Sequence, residues 1–301
     1  GAARAPARPR PRAMPLSELS RDLAGRTAVV TGAASGMDRA TARLLADLGV
    51  RVALVDRAEA AVRAVEAELL AAGAEAKAFR ADLADAGEIK RLAIAVLSHY
   101  GGVDILVNNA GVGSRGVPST AGSDEDFERD WALNLAVNLL AQARLVRAFA
   151  ASLGRRGEGR VVNVASTEGS GATFLNAPYV AAKHGSVGLT KALAVELASR
   201  GICVNCVQPG PIRTGMTDAI PEKSKEYYAK RLVPMRRYGL PEEVAHVIVS
   251  LCLPSFRWVN GAVVPADGGL LANNALLPMR LPWPEPAALP QAPGAQPGSR
   301  L

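Results

Sequence analysis

Tyr179 and Lys183 stand four residues apart in "YVAAK", which places them on one face of the helix that the pattern from Pro178 onward predicts. That spacing has a chemical use. A phenol with an ordinary pKa of about 10 carries protons poorly near neutrality unless a neighbouring ammonium favours its anion. The same spacing also occurs on solvated helix faces, so the pair signifies chemistry only in company. In "TGAASG" (31–36), Gly32 and Gly36 sit where a β-branched run passes into a helical pattern. There, backbone N–H groups and a helix dipole can approach a phosphate. An acid about 20 residues beyond such a turn hydrogen-bonds both hydroxyls of an adenosine ribose, and Asp56 holds that place. Its carboxylate repels a 2′-phosphate, whereas Arg57 beside it could grip one, so the pair favours NAD and leaves NADP open.

These residues need a frame that brings them together. Apolar, often β-branched runs at 27–30, 51–55, 76–79, 104–107, 160–164, 203–207 and 262–266 read as strands. Helical patterns at 58–72, 86–100, 125–152, 177–200 and 241–253 lie between them and are long enough to be crossovers. The alternation predicts an α/β fold: a single Rossmann-type doubly wound parallel sheet of about seven strands, with helices on both faces. Ligands of such sheets bind beyond the carboxyl ends of the strands, where the glycine turn, Asp56, "NNAG" (108–111) and "STEG" (166–169) all fall.

The chain has 301 residues, 49% of them hydrophobic, and a formal net charge of +7. Six arginines against Glu18 and Asp22 in residues 1–26 supply more than half of that excess. The charge therefore belongs to a tail, and nucleic-acid binding would rest on that tail alone. Three segments are expected: a disordered Arg/Pro-rich tail at 1–23, a catalytic domain at 24–272 and a proline-rich C-terminal extension at 273–301. No apolar run is long enough for a membrane span, and three cysteines that cannot all pair agree with a reducing, cytoplasmic setting. Cys203 and Cys206 lie in a strand, where positions three apart face opposite sides, so they read as packing. His99, His184 and His246 are scattered, and no metal is expected.

Between residues 24 and 272 the sequence resembles the classical short-chain dehydrogenase/reductase family. The resemblance rests on the order of "TGAASG", "VD" (55–56), "ADL" (81–83), "NNAG", "NL" (138–139), "NVAS" (163–166), "YVAAK", "PGPIRT" (209–214), "PEEVA" (241–245) and "DGG" (267–269). It implies a catalytic tetrad of Asn138, Ser166, Tyr179 and Lys183. Ser166 would hold the substrate oxygen and Tyr179 would pass it a proton. Lys183 would lower the tyrosine pKa and bind the nicotinamide ribose, while Asn138 would hold a water leading to Lys183. The resemblance places Gly32, Ser35, Gly36 and Met37 at the cofactor's phosphates and Asp56 and Arg57 at its ribose. Asp82 and Leu83 would lie beside the adenine, and Asn109, Ala110 and Gly111 along the adenosine side. Pro209, Gly210, Ile212 and Thr214 would meet the nicotinamide end.

In one place the chain departs from the family pattern. Asp38 stands where a third glycine is usual. Beside two phosphate charges a carboxylate costs affinity, and Arg39 or Arg43 could swing in to offset it; in the empty fold it would suit the dipole of the helix start. The expected function is a nicotinamide-dependent oxidoreductase interconverting a secondary alcohol and a ketone. The alternatives are a 3-oxoacyl-thioester reductase acting on an acyl carrier protein or coenzyme A, and a nucleotide-binding homologue with impaired catalysis. Segments 112–126, 166–178 and 214–238 should border the substrate, with Phe174, Leu175, Met216, Ile220 and Met235 making the pocket apolar. Lysines and arginines at 223–237 form either a solvated helix face or a surface for an acidic carrier. The resemblance implies a homo-oligomer, a dimer or tetramer, with a small alcohol or ketone as its partner and neither nucleic acid nor membrane.

Overall fold

A computed structural model describes residues 22–114 and 122–273; most of the two expected tails and part of the 112–126 loop lie outside these. Seven strands form one parallel sheet: β1 Thr27–Thr31, β2 Arg51–Asp56, β3 Ala76–Arg80, β4 Ile105–Asn108, β5 Arg160–Val164, β6 Cys203–Pro209 and β7 Val263–Ala266. Their order is β3-β2-β1-β4-β5-β6-β7. The chain reverses direction across the sheet between β1 and β4, so a crevice opens at their carboxyl ends.

The strands are nearly continuous apolar runs because helices cover both faces. With a period of two, Ala28 and Val30, Val52 and Leu54, and Ile105 and Val107 face one layer, while Val29, Ala53, Val55 and Leu106 face the other. The first layer is closed by α1 (Gly36–Asp47), α2 (Glu59–Ala71) and α9 (Pro241–Cys252) through Leu45, Val62, Leu69 and Ile248. The second is closed by α3 (Ala86–Tyr100), α5 (Ala141–Leu153) and α6 (Ala177–Leu197) through Ile89, Val96, Leu145, Phe149 and Leu197. Caps fix where the helices start: Asp85 accepts from Glu88 N ahead of α3, and Ser123 accepts from Asp126 N ahead of α4 (Asp124–Leu135). Cys203 and Cys206 on β6 and Cys252 on α9 are buried free thiols.

Two findings differ from the sequence pattern. The single helix expected over 125–152 is interrupted by a π turn at Ala136–Leu140 that carries Asn138. The Asn138 amide reaches sideways out of that turn to Val112, a tertiary partner that helical periodicity does not reveal. The 214–238 segment, expected to border the substrate, folds into a short turn of helix, α7 (Gly215–Asp218), followed by α8 (Glu222–Leu232).

After α6 the chain turns into β6 through Gly201, which is left-handed at φ +71° and lies with its Cα against Gly157. A Cβ at Gly201 would stand 2.2 Å from the Gly157 carbonyl oxygen. Gly201→Ala is therefore expected to destabilise the fold by about 2 kcal/mol or more, read as a lower urea midpoint at unchanged slope.

Candidate active site

The glycine turn is held by the strands that flank it. Gly32 and Ala33 donate their N–H groups to Val55 O at 2.8 and 3.1 Å. Thr31 Oγ1 accepts from Asn109 N and Ala110 N, both at 3.1 Å, and so ties the end of β1 to the segment after β4. Gly32 and Gly36 take φ of +81° and +58°, which only glycine adopts freely. Ser35 caps α1 without a side-chain hydrogen bond, leaving the first-turn N–H groups facing the crevice. Asp56 is fixed at the end of β2, accepting from Ala34 N at 3.2 Å and Ala58 N at 2.9 Å. Each of its oxygens keeps lone-pair capacity for a hydroxyl.

These groups line a cleft of about 290 Å³. Around it the fold gathers Gly32, Ser35, Gly36 and Met37 from the turn, Asp56 and Arg57 after β2, and Asp82 and Leu83 after β3. Asn109, Ala110 and Gly111 follow β4, and Pro209, Gly210, Ile212 and Thr214 follow β6. Asp82 accepts from Ala84 N through Oδ1, which shapes the loop into α3.

Ser166, Tyr179 and Lys183 line the same cleft. Ser166 lies beside Tyr179, and Lys183 Nζ lies 5.4 Å from the centre of the Tyr179 ring while donating to Val164 O at 2.9 Å. Asn138 stands just outside the lining. Its Oδ1 accepts from Val112 N at 3.0 Å, and its Nδ2 donates to Val112 O at 2.9 Å and Asn134 Oδ1 at 3.0 Å. Gly111 has no side chain between Asn138 Oδ1 and Lys183 Nζ; a Cβ there would meet them at 3.0 and 3.8 Å.

Burial governs the protonation of this end. It pushes Tyr179 up to about 12, against the Ser166 hydrogen bond and with help from the Glu168 charge. It pulls Lys183 down to about 8, with Cys206 and Asp38 opposing. Desolvation of the phenolate outweighs the remaining influences, so the Tyr179 shift in the unliganded fold is upward, while the Lys183 ammonium points at a carbonyl.

The family model described as enoyl-(acyl carrier protein) reductase matches residues 32–271. The chain belongs to the short-chain dehydrogenase/reductase family. It is 35% identical to 3-oxoacyl-(acyl-carrier-protein) reductase FabG of Thermotoga maritima, over 83% of this chain and 99% of that protein. It is equally 35% identical to 2,5-dichloro-2,5-cyclohexadiene-1,4-diol dehydrogenase of Sphingobium indicum, with the same coverage. Among solved structures, a variant of actinorhodin polyketide ketoreductase with NADPH superposes with a TM-score of 0.75 at 38% identity, covering 81% of this chain and 97% of that one. This short-chain dehydrogenase/reductase is a nicotinamide-dependent oxidoreductase of alcohols and ketones. Its left-handed glycines, helix start without a side-chain cap, and anchored Asp56 fit a dinucleotide.

Asp38, which the sequence sets beside the cofactor phosphates, lines the wall of the cleft. Its Oδ2 lies against the bare face of Gly32, 2.3 Å from where a Cβ would stand, and its buried Oδ1 has no hydrogen-bond partner. Burial first, and then the neighbouring Asp56 charge, raises its pKa well above the usual carboxylate range, with Lys183 opposing. The acid does occupy the first turn of α1, where burial opposes the charge through which it would favour the helix dipole. Arg39 and Arg43 do not swing toward it, because both pair with Glu68 on α2.

The substrate side also differs from expectation. Of the five residues named as an apolar border, Met216 lines the cleft. Met235 lines a separate cavity with Arg237 and Gly268, and Phe174 is 86% exposed. Asn205 ties loops together, donating to Val259 O and accepting from Ala262 N. Among the described residues no cluster could hold a metal ion, and no helix is long and apolar enough to cross a membrane.

Proposed function

We propose that this cleft interconverts a secondary alcohol and a ketone, with NAD preferred and Tyr179 as the proton carrier. The observation that carries the reading is the gathering of Ser166, Tyr179 and buried Lys183 in the same cleft as the glycine turn. When bound, the nicotinamide supplies or accepts the hydride. Gly32, Ser35, Gly36 and Met37 would hold the diphosphate, Asp56 and Arg57 the adenosine ribose, and Asp82 and Leu83 the adenine. Asn109 to Gly111 would lie along the adenosine side, and Pro209, Gly210, Ile212 and Thr214 would meet the carboxamide end. Ser166 orients the substrate oxygen against the Tyr179 hydroxyl. Tyr179 is a neutral phenol near pH 7 and so gives its proton to a forming alkoxide in the reductive direction. Asn138 fixes the 111–112 segment beside Lys183.

A panel of ketones and alcohols, followed through nicotinamide absorbance with both cofactors, tests the activity. Absence of turnover across the panel, with dinucleotide binding intact, would sink the catalytic reading in favour of a binding homologue. Asp56 supports NAD because two backbone N–H groups anchor its carboxylate where a 2′-phosphate would meet it. Asp56→Ser is expected to raise kcat/KM for NADP relative to NAD by about tenfold or more, the equivalent of about 1.4 kcal/mol of relieved repulsion.

The reductases of acyl-carrier substrates among the relatives support 3-oxoacyl-thioester reduction as the second reading. The basic residues of 223–237 give it little: Lys230 pairs with Glu226, Arg237 with Glu243, and Arg231 packs on Tyr227. Part of the charge expected for an acidic carrier is thus compensated within the fold, that of Lys230 and Arg237. A homo-oligomer, dimer or tetramer, is the assembly proposed, supported by Trp258 at 97% and Val195 at 82% exposure.

A further inference from the structure

Asp38 is the group in the cleft that the proposed chemistry does not use. Three observations bear on it. Its Oδ1 is buried without a partner, its Oδ2 fills the space that the missing Gly32 side chain leaves, and it occupies the first turn of α1, whose N–H groups face the crevice. A buried, unpartnered carboxylate oxygen at a helix start is costly as an anion, and once protonated it offers a donor to an anion bound there. The charged groups that face it are Asp56 from the end of β2 and Lys183 from α6. The turn after β1 and the 109–111 segment after β4 bring no charge. On its own helix Arg39 and Arg43 are turned away to Glu68. Arg57 and Asp82 line the same cleft.

Resting on the cofactor reading above, we propose that Asp38 is an uncharged carboxylic acid that donates a hydrogen bond to the diphosphate of the bound dinucleotide. Cofactor binding is then coupled to the protonation of this residue. The proton stays on Asp38 in the complex: below its pKa the acid is already loaded, and above it each dinucleotide that binds draws one proton from solution. This direction of linkage follows from the anionic ligand, which favours the protonated form of a neighbouring acid and cannot tolerate the ionised one. A glycine at this position would bind without such coupling.

Calorimetric titration of NAD and NADH into the full chain from pH 6 to 10, in buffers of differing ionisation enthalpy, measures affinity and proton uptake together. Wild-type affinity is expected to be level at low pH and then to fall tenfold per pH unit, with uptake approaching one proton. Asp38→Asn, an isostere that donates without titrating, should keep the low-pH affinity and lose that fall. Asp38→Gly should lose it too. Because Lys183 titrates in every variant, the difference between the wild-type and Asp38→Asn profiles is the quantity read. An infrared difference spectrum between those two proteins should show a protonated carboxyl in the wild type at neutral pH. Parallel profiles through pH 10, or an ionised Asp38 at neutral pH in the complex, would overturn the proposal. Binding by Asp38→Gly alone, with none by the wild type at any pH, would instead overturn the cofactor reading of the native chain.

Discussion

Tyr179→Phe is expected to lower kcat by about a hundred- to ten-thousandfold, the range that a positioned acid–base group supplies. The substitution removes one oxygen from a ring that burial and the Lys183 contact hold in place, so the cleft keeps its shape. Dinucleotide affinity should change by less than about tenfold, the scale of one lost hydrogen bond. The pH profile adds a signature. Burial raises the phenol to about 12, so in the unliganded protein Tyr179 stays protonated across the working range. Reduction of a ketone should therefore be level from neutral pH upward until other groups titrate, whereas alcohol oxidation, which needs the anion, should rise with pH. Near-wild-type turnover by Tyr179→Phe would remove the phenol from the mechanism. An oxidative rate independent of pH would leave the phenol in place but move its ionisation onto the bound state.

The sheet was legible because its strands are buried on both faces. Runs such as "TAVV" and "RVVNV" have no polar phase to confuse with a helix, and β1 and β5 begin where those runs begin. The cleft residues were legible for a different reason: they follow strands, and the strand order brings loop starts distant in sequence to one crevice. Three features were not legible. The π turn at Asn138 depends on Val112, a partner 26 residues away. The direction of the Tyr179 shift depends on how deeply the ring is buried and where Lys183 Nζ points, neither of which spacing encodes. Arg39 and Arg43 were read against Asp38 because they are its neighbours in sequence, but Glu68 on α2 claims both. In each case a tertiary partner overrode a local reading.

Lys183→Met is expected to divide stability from activity. Lys183 is 3% exposed, and burial depresses its ammonium from an ordinary 10.5 to about 8. A base depressed in the fold binds more protons when unfolded, so stability rises with pH from about 8 to about 10.5, where the unfolded lysine also loses its proton. Below about pH 8 the fold carries the full cost of burying the charge, on the order of 3 kcal/mol from that difference in pKa. Methionine occupies a similar volume without the charge but forfeits the hydrogen bond to Val164 O, which offsets about 1 kcal/mol of the gain. The variant should therefore melt about 2–6 °C higher than wild type at pH 7. The advantage should shrink as pH rises through the lysine's titration, before Tyr179 brings the opposite trend: an acid raised to about 12 withdraws stability from both proteins between about pH 10 and 12. Turnover should fall by about a hundredfold or more, because a buried cation beside the proton carrier has been exchanged for an apolar chain. Thermal melts and steady-state rates at pH 7 and 9.5 decide the matter. A lower melting temperature at both pH values would mean that Lys183 is held by favourable partners and that its charge stabilises the fold. A higher one with turnover intact would mean that the lysine is a strained structural residue, and Tyr179 would have to act without it.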